Sequence, residues 1–477
     1  MWSHYLIRRL SVQMALVWNF GWGRAMRRVY GVSMENTLVF GDAKKTEYWT
    51  DANQHREYRA GLRRLLQDKN FLRLFHKQAQ VFLEGVLADF KSKFRQGFDS
   101  ATDQELAILY KKFLFPSMTG FFVRMWTVFN LGEQADLAVR EKLKQFVPEN
   151  KVDEYLLKLS RSARPNDVMS ERLDLLKLAA VRKKATKKRW EILMEKHVAK
   201  YRHIPVYDFD HQPYTKKHFL SELKKIKAPQ KELARMQNIF RKSRQDMRQV
   251  IANIHPDTEL TLLLNFLREN VFLRDYRDML RQKLNLELKT FYAQAGKRLG
   301  LDIFEVGMLT RTEMIEYLST SKIFPKQEIK KRKRAFLLIQ KSDVARIFSG
   351  ERARRKFKTE IPVGRDAYLK ELHGTVGSKG EPVSGRAVVV YTNRDLYKVK
   401  QGQIMFTGMT RQDFVPYLRK VKALVTDEGN VTCHAAIIAR ELSIPCIVNT
   451  GSGTSIFRDG DMVEVDANKG IVRKIRK

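Results

Sequence analysis

Leu424-Val425-Thr426-Asp427-Glu428-Gly429-Asn430-Val431-Thr432-Cys433-His434-Ala435-Ala436-Ile437-Ile438-Ala439-Arg440-Glu441-Leu442-Ser443-Ile444-Pro445 is the most informative stretch of this 477-residue chain. A short apolar run reads as a buried strand ending at Thr426. A polar loop follows, with Gly429 at its turn. A helix begins at or just after Thr432 and runs over 434–442, which puts His434 in its first turn. Thr432 and Asn430 stand where a side chain caps or lines that end. The amides and positive dipole end of the helix then face whatever the imidazole carries. Such a setting stabilises a dianionic phosphate on a ring nitrogen, and a neutral imidazole is a good nucleophile near physiological pH. Ala435 and Ala436 are expected to leave open space beside the ring for a second reactant. A lone histidine at a helix start is more often a cap or a surface residue, so the reading rests on the whole string.

Outward from it the texture is that of a small mixed domain. Eleven glycines, from Gly374 to Gly470, crowd the last hundred or so residues. Between them lie short β-branched runs, among them 387–391, 403–406, 423–426, 446–448 and 462–465, which read as strands. Helices are expected at 434–442 and 413–419. Before about residue 360 the chain instead reads as helical. Apolar residues recur at spacings of three and four, as in Leu62, Leu65, Leu66, Phe71, Leu72, Leu74 and Phe75. Pro148, Pro165, Pro205, Pro213, Pro229, Pro256 and Pro325 read as helix boundaries, 202–213 as an irregular connection, and strand-like alternation is scarce.

The net charge is +37. Residues from 361 onward contribute 18 basic and 12 acidic side chains, a net of +6, so the preceding part carries +31. A field of that sign attracts polyanions or phosphorylated small molecules without choosing between them. The basic clusters 182–189, 224–227, 330–334 and 352–358 fit either solvated helix faces or an anion or nucleic-acid surface, and no nucleic-acid-binding motif accompanies them. His55, His76, His197, His203, His211, His218 and His255 lack metal-ligand spacing, so no metal site is expected. Two cysteines, Cys433 and Cys446, point to a reducing cytoplasm rather than a disulfide framework. No uninterrupted apolar run reaches the length of a membrane span. The run 12–18 after Arg8 and Arg9 has no cleavage site behind it and is expected to be an apolar helix packed on the body.

The 424–445 string resembles the phosphohistidine signature of the phosphoenolpyruvate synthase, pyruvate phosphate dikinase and rifampin phosphotransferase family. Gly429, Thr432, Cys433, His434, Ala435, Ala436, Ile437, Ala439, Arg440, Glu441, Ile444 and Pro445 all fall in register. The flanks agree: 372–387 looks like the opening strand and turn, 402–416 like the central strand and following loop, and 459–470 like the closing hairpin. Asn430 stands where the family often has a second glycine, and asparagine tolerates positive φ. Weaker resemblance to the helical region of rifampin-phosphotransferase-like proteins runs through 272–277, 299–314 and 329–336. In those relatives this region binds the phosphate acceptor. The motifs are short, and a packing role fits them equally well.

The resemblance implies a multidomain α plus α/β chain. A large, basic, mainly α-helical domain over 1–362 would precede a small β/β/α swivelling phosphohistidine domain over 363–477. His434 would carry the phosphate, with Gly429, Thr432, Cys433 and Arg440 around it. Arg274, Arg277, Arg332 and Thr410 are the candidates for binding substrate; Arg274 and Arg277, one turn apart, could share an anion or be salt-bridged instead. The family implies ATP with Mg, or phosphoenolpyruvate, as phosphoryl donor. No ATP-grasp domain, Walker-type loop or phosphoenolpyruvate barrel is recognisable, and no cofactor motif is present. The expectation is a cytoplasmic phosphotransferase component with its donor site on a separate ATP-grasp protein and an anionic or small-molecule acceptor. The rival reading is a non-catalytic basic module for nucleic acid or an anionic membrane, with the swivel domain as scaffold.

Overall fold

The computed structural model describes residues 2–475 except 9, 44, 161–163, 183, 321, 323, 343, 362–370, 411–413 and 432. The boundary expected at 362/363 lies outside the described residues. By contacts the chain divides into two compact units. One comprises residues 1–58, 308–311 and 325–477; the other comprises 59–307 and 312–324.

The first unit holds two sheets. One is five-stranded and wholly antiparallel. It joins β1 (Trp2–Arg8), β2 (Thr37–Gly41), β3 (Thr46–Asp51), β4 (Phe336–Lys341) and β5 (Val344–Ser349) in the order β1-β3-β2-β4-β5. This sheet corrects the expectation that strands are scarce before residue 360. Its central strand β2 pairs on both sides, Leu38 lying opposite Trp49 and Ile339. Leu38, Leu337 and Ile339 form its core with Ala353, and Phe40 stacks on Phe357 at 4.1 Å. Helix α1 (Val12–Phe20) is the expected apolar helix. Eight of its residues, Val12 to Asn19, are buried, and Ser11 caps it by accepting from the Met14 amide. Helices α2 (Lys326–Arg334) and α3 (Gly350–Glu360) flank the β4–β5 hairpin.

The second sheet occupies 371–474. Its strands are β6 (Glu371–His373), β7 (Thr375–Ser378), β8 (Val383–Val390), β9 (Ile404–Thr407), β10 (Ala423–Thr426), β11 (Cys446–Val448), β12 (Met462–Asp466) and β13 (Ile471–Lys474), in the order β6-β13-β12-β8-β9-β10-β11-β7. Strands β8 to β11 run parallel, and the outer strands are antiparallel. Alternate residues feed two cores. Val388, Met405 and Leu424 face the helix side with Ala435, Ala436 and Ala439, while Val389, Phe406 and Val425 face the other side with Val463 and Val465. Parallel strands covered on both faces read as continuous apolar runs, which is why 423–426 was legible. Helix α4 (His434–Glu441) falls where the string placed it, and Val415–Leu418 forms the short helix expected at 413–419.

The second unit is helical. Its core packs Lys69–Phe94 and Phe115–Leu143 against the 42-residue helix Thr258–Leu299, with Phe90, Phe94, Phe98, Phe291 and Tyr292 interlocked. Pro229 opens a helix at its first turn, and Pro256 separates two helices, as the boundary signals require. The region 202–213 is irregular. The run Asp103–Leu143 is long and apolar enough to cross a membrane by length and composition, and 56% of its apolar window is buried inside the fold. A count of uninterrupted apolar residues misses it because Thr119, Gly120 and Arg124 break the run.

Candidate functional site

Helix α4 starts with His434 at its first position. Its N-cap is Cys433, extended at φ −72° and ψ 162°, with no side-chain hydrogen bond to the helix. The cap expected at Thr432 thus moves one residue on, and Thr432 itself lies outside the described residues. Two loops hold the histidine. The loop after β10 crosses Gly429 at φ +116°, where an added Cβ would lie 2.7 Å from the Cys433 sulfur. Only glycine fits that turn. Among the described non-glycine residues, positive φ occurs at His255, Ser342, Ser443 and Asn449, so Asn430 does not use the tolerance expected of it. Its carbonyl instead accepts from the Cys433 amide at 3.0 Å. Arg440, in the last turn of α4, donates to the Val431 carbonyl at 2.7 Å and ties helix to loop.

The loop after β9 supplies a close contact of the imidazole. Thr410, 5% exposed, places its hydroxyl 2.8 Å from His434 Nδ1. The two loops run side by side: the Asp427 amide donates to the Thr407 carbonyl and the Glu428 amide to the Gly408 carbonyl. His434 therefore sits, half-buried, beyond the carboxyl ends of parallel strands, the usual place for a ligand crevice in such sheets. Ala435 and Ala436 are buried against the sheet, with Gly377 beneath Ala436. Their small side chains let α4 pack closely and do not leave the open space expected beside the ring.

Two contributors escaped the sequence reading. Asp427 is buried and accepts from the Thr454 amide at 3.0 Å and from the Thr454 and Thr450 hydroxyls, binding the loop to 450–454. Burial pushes its carboxyl up to about 6, against the opposing pull of the Thr454 hydrogen bonds. Arg8, at the end of β1, grips Glu428 bidentately at 2.6 and 2.7 Å and lies 3.1 Å from the Met409 sulfur. With both side chains mostly buried (10% and 16% exposed), this fork-to-fork pair is charge-assisted and directional. It joins the first strand of the chain to the His434 loop. Nearby, burial lowers the pKa of His4, which Glu47 and Glu428 partly offset.

Residues 399–470 match the family model described as PEP-utilising enzyme, mobile domain. This part of the chain belongs to that family. The mobile domain is 40% identical over 119 residues to a probable phosphoenolpyruvate synthase of Archaeoglobus fulgidus, covering 25% of this chain and 16% of that protein. A probable phosphoenolpyruvate synthase of Methanothermobacter thermautotrophicus is 41% identical over 115 residues, covering 24% of this chain and 16% of its own length. The phosphoenolpyruvate synthase of Pyrococcus furiosus is 46% identical over 91 residues, covering 19% and 11%. The chain thus spans 16% or less of the length of these relatives. Among solved structures, Thermococcus kodakaraensis aconitase X covers 22% of the chain at 18% identity and a TM-score of 0.18, a likeness too slight to bear on function.

The structure brings His434, Cys433, Gly429, Arg440 and Thr410 together around the mobile-domain loops. Cys433 packs against the core on the α4 side, which suits a spacer. Arg332 is 2% exposed. Its guanidinium donates to the Met308 carbonyl at 2.7 Å and reaches the Ser349 hydroxyl and Glu328, so it serves the fold of the first unit. Arg274 and Arg277 belong to the second unit. Arg277 is 4% exposed and stands 3.9 Å from Asp278 and over the Phe129 ring; burial lowers its pKa to about 10. His197 and His203 pair with Glu171 and Asp167.

Proposed function

We propose that this chain is a phosphotransferase component that carries a phosphoryl group on His434. The observation that supports this most directly is the Thr410–Nδ1 contact at a helix start. With Nδ1–H donating to the Thr410 oxygen, the neutral ring presents its lone pair at Nε2. That pair attacks the terminal phosphorus of the donor, and the P–O bond to the leaving group breaks with its electrons. In the second step an acceptor oxygen attacks the phosphorus, the N–P bond breaks, and the pair returns to Nε2. Dividing one transfer into two in-line steps lowers each barrier. The first turn of α4 offsets charge on the moving group.

The family points to ATP with Mg, or phosphoenolpyruvate, as donor; we assign the donor site to a separate ATP-grasp protein. The acceptor is anionic or a small molecule, held by the basic helical part with Arg274 and Arg277 as its candidates. Intact-protein mass spectrometry after incubation with ATP or phosphoenolpyruvate and cell extract is the test. Wild-type protein gains an acid-labile phosphoryl group and His434→Ala does not. Equal labelling of the two would end the proposal.

A further inference from the structure

Two basic clusters that read separately in the sequence meet in the first unit. Phe336 pairs with Ser349 at the open end of the β4–β5 hairpin, and the Gly350 amide donates to the Ala335 carbonyl at 2.8 Å. That register sets the last turn of α2 beside the first turn of α3. Between them opens a cavity of about 790 Å³, within the range of small-ligand sites. Lys331, Lys333 and Arg334 line it from α2, and Arg352 and Arg354 from α3.

Three carboxylates also line it, and each has a partner in the fold. Glu328 takes the Ser349 hydroxyl and lies 3.5 Å from buried Arg332. Glu351 lies 3.4 Å from Arg354, and Asp42 accepts from the Lys45 amide at 3.0 Å. Five cations against three carboxylates leave an excess of positive charge in a concave site. Because Ser349 gives its hydroxyl to Glu328, it does not cap α3, and the amide end of that eleven-residue helix opens on the same space. Phe348 adds an apolar wall, with the Arg352 guanidinium 5.2 Å from its ring.

We infer that this cavity binds a phosphorylated small molecule, its phosphoryl oxygens held by the α2 and α3 cations at the mouth of α3. Forked and point cations converging on one space fit phosphate groups, which need several donors at once. The inference does not rest on the phosphohistidine reading, since His434 plays no part in it.

Calorimetric titration of the full chain with inorganic pyrophosphate, phosphoenolpyruvate and ATP tests it and tells a bare phosphoanion from a larger ligand. Saturable one-to-one binding of at least one probe is expected. Lys331→Glu with Arg334→Glu should weaken it by about tenfold or more, as lost charged hydrogen bonds do. Lys224→Glu with Lys227→Glu, on another basic cluster, should leave it unchanged. If the α2 pair unfolds the chain by circular dichroism, Arg352→Gln with Arg354→Gln must show the same loss. Absence of binding by all three probes overturns the inference. So does equal weakening by the Lys224 and Lys227 pair, or RNA binding that no probe competes.

Discussion

The two sheets of the first unit are built in opposite ways. The eight-stranded sheet closes within 371–474. The five-stranded sheet takes three strands from residues 2–51 and two from 336–349. One sheet is local and the other is assembled across nearly the whole chain. They are joined by Arg8, whose fork on Glu428 makes the distant sheet a neighbour of the site in the local one. Proximity to a functional loop is thus independent of proximity in sequence.

The largest effect that can break this comparison is on packing. Leu38→Ala in the five-stranded sheet and Leu424→Ala in the eight-stranded one should each cost about 2–5 kcal/mol. In denaturant unfolding both should shift the same transition of the first unit. Two separate transitions, each moved by one variant, would show the sheets to be independent bodies.

The next effect is confined to the local sheet. Asp427 has a folded pKa of about 6, above the usual 3.8, so the folded state holds a proton that the unfolded state has released. Its contribution is therefore fully present below about pH 4 and is lost as pH rises to about 6; the interval is worth roughly 3 kcal/mol. Asp427→Asn should flatten the stability profile over pH 4–6. An unchanged slope would remove Asp427 as its cause.

The joint between the sheets comes third. Arg8→Ala leaves Glu428 without its bidentate partner and should cost about 2 kcal/mol, less than a fully buried pair because both side chains keep some solvent. A double-mutant cycle with Glu428→Ala should give a coupling of about 1 kcal/mol. Strict additivity would mean that the fork contributes nothing beyond its separate ends. The smallest effect on stability is expected of Thr410→Val, under about 1.5 kcal/mol. It should nevertheless slow phosphoryl labelling of His434, because the ring loses the group that fixes its tautomer.

The same contrast explains what could be read from the sequence. His434, Gly429 and Arg440 lie within one 22-residue string, and their geometry follows from a strand, a turn and a helix in succession. The parallel strands announce themselves as continuous apolar runs. In β3 the buried positions are Thr46, Tyr48 and Thr50, so its clean alternation is hidden from a hydrophobic pattern. Strand β1 carries a register shift between His4 and Leu6, which breaks its period. Strand β4, Phe336-Leu337-Leu338-Ile339, merges with the helical texture before it. Arg8 stood next to an apolar run and gave no sign of a partner 420 positions away.

The split sheet also bears on how the chain is made. Strand β2 must wait for β4, nearly 300 residues later, before its second edge is covered. At ribosomal speeds of about 5–20 residues per second that wait is roughly 15–60 s. Throughout it, Thr37–Gly41 would offer a bare, apolar strand edge to any other nascent chain. The order of synthesis thus leaves one edge of the sheet open until residues 336–341 emerge.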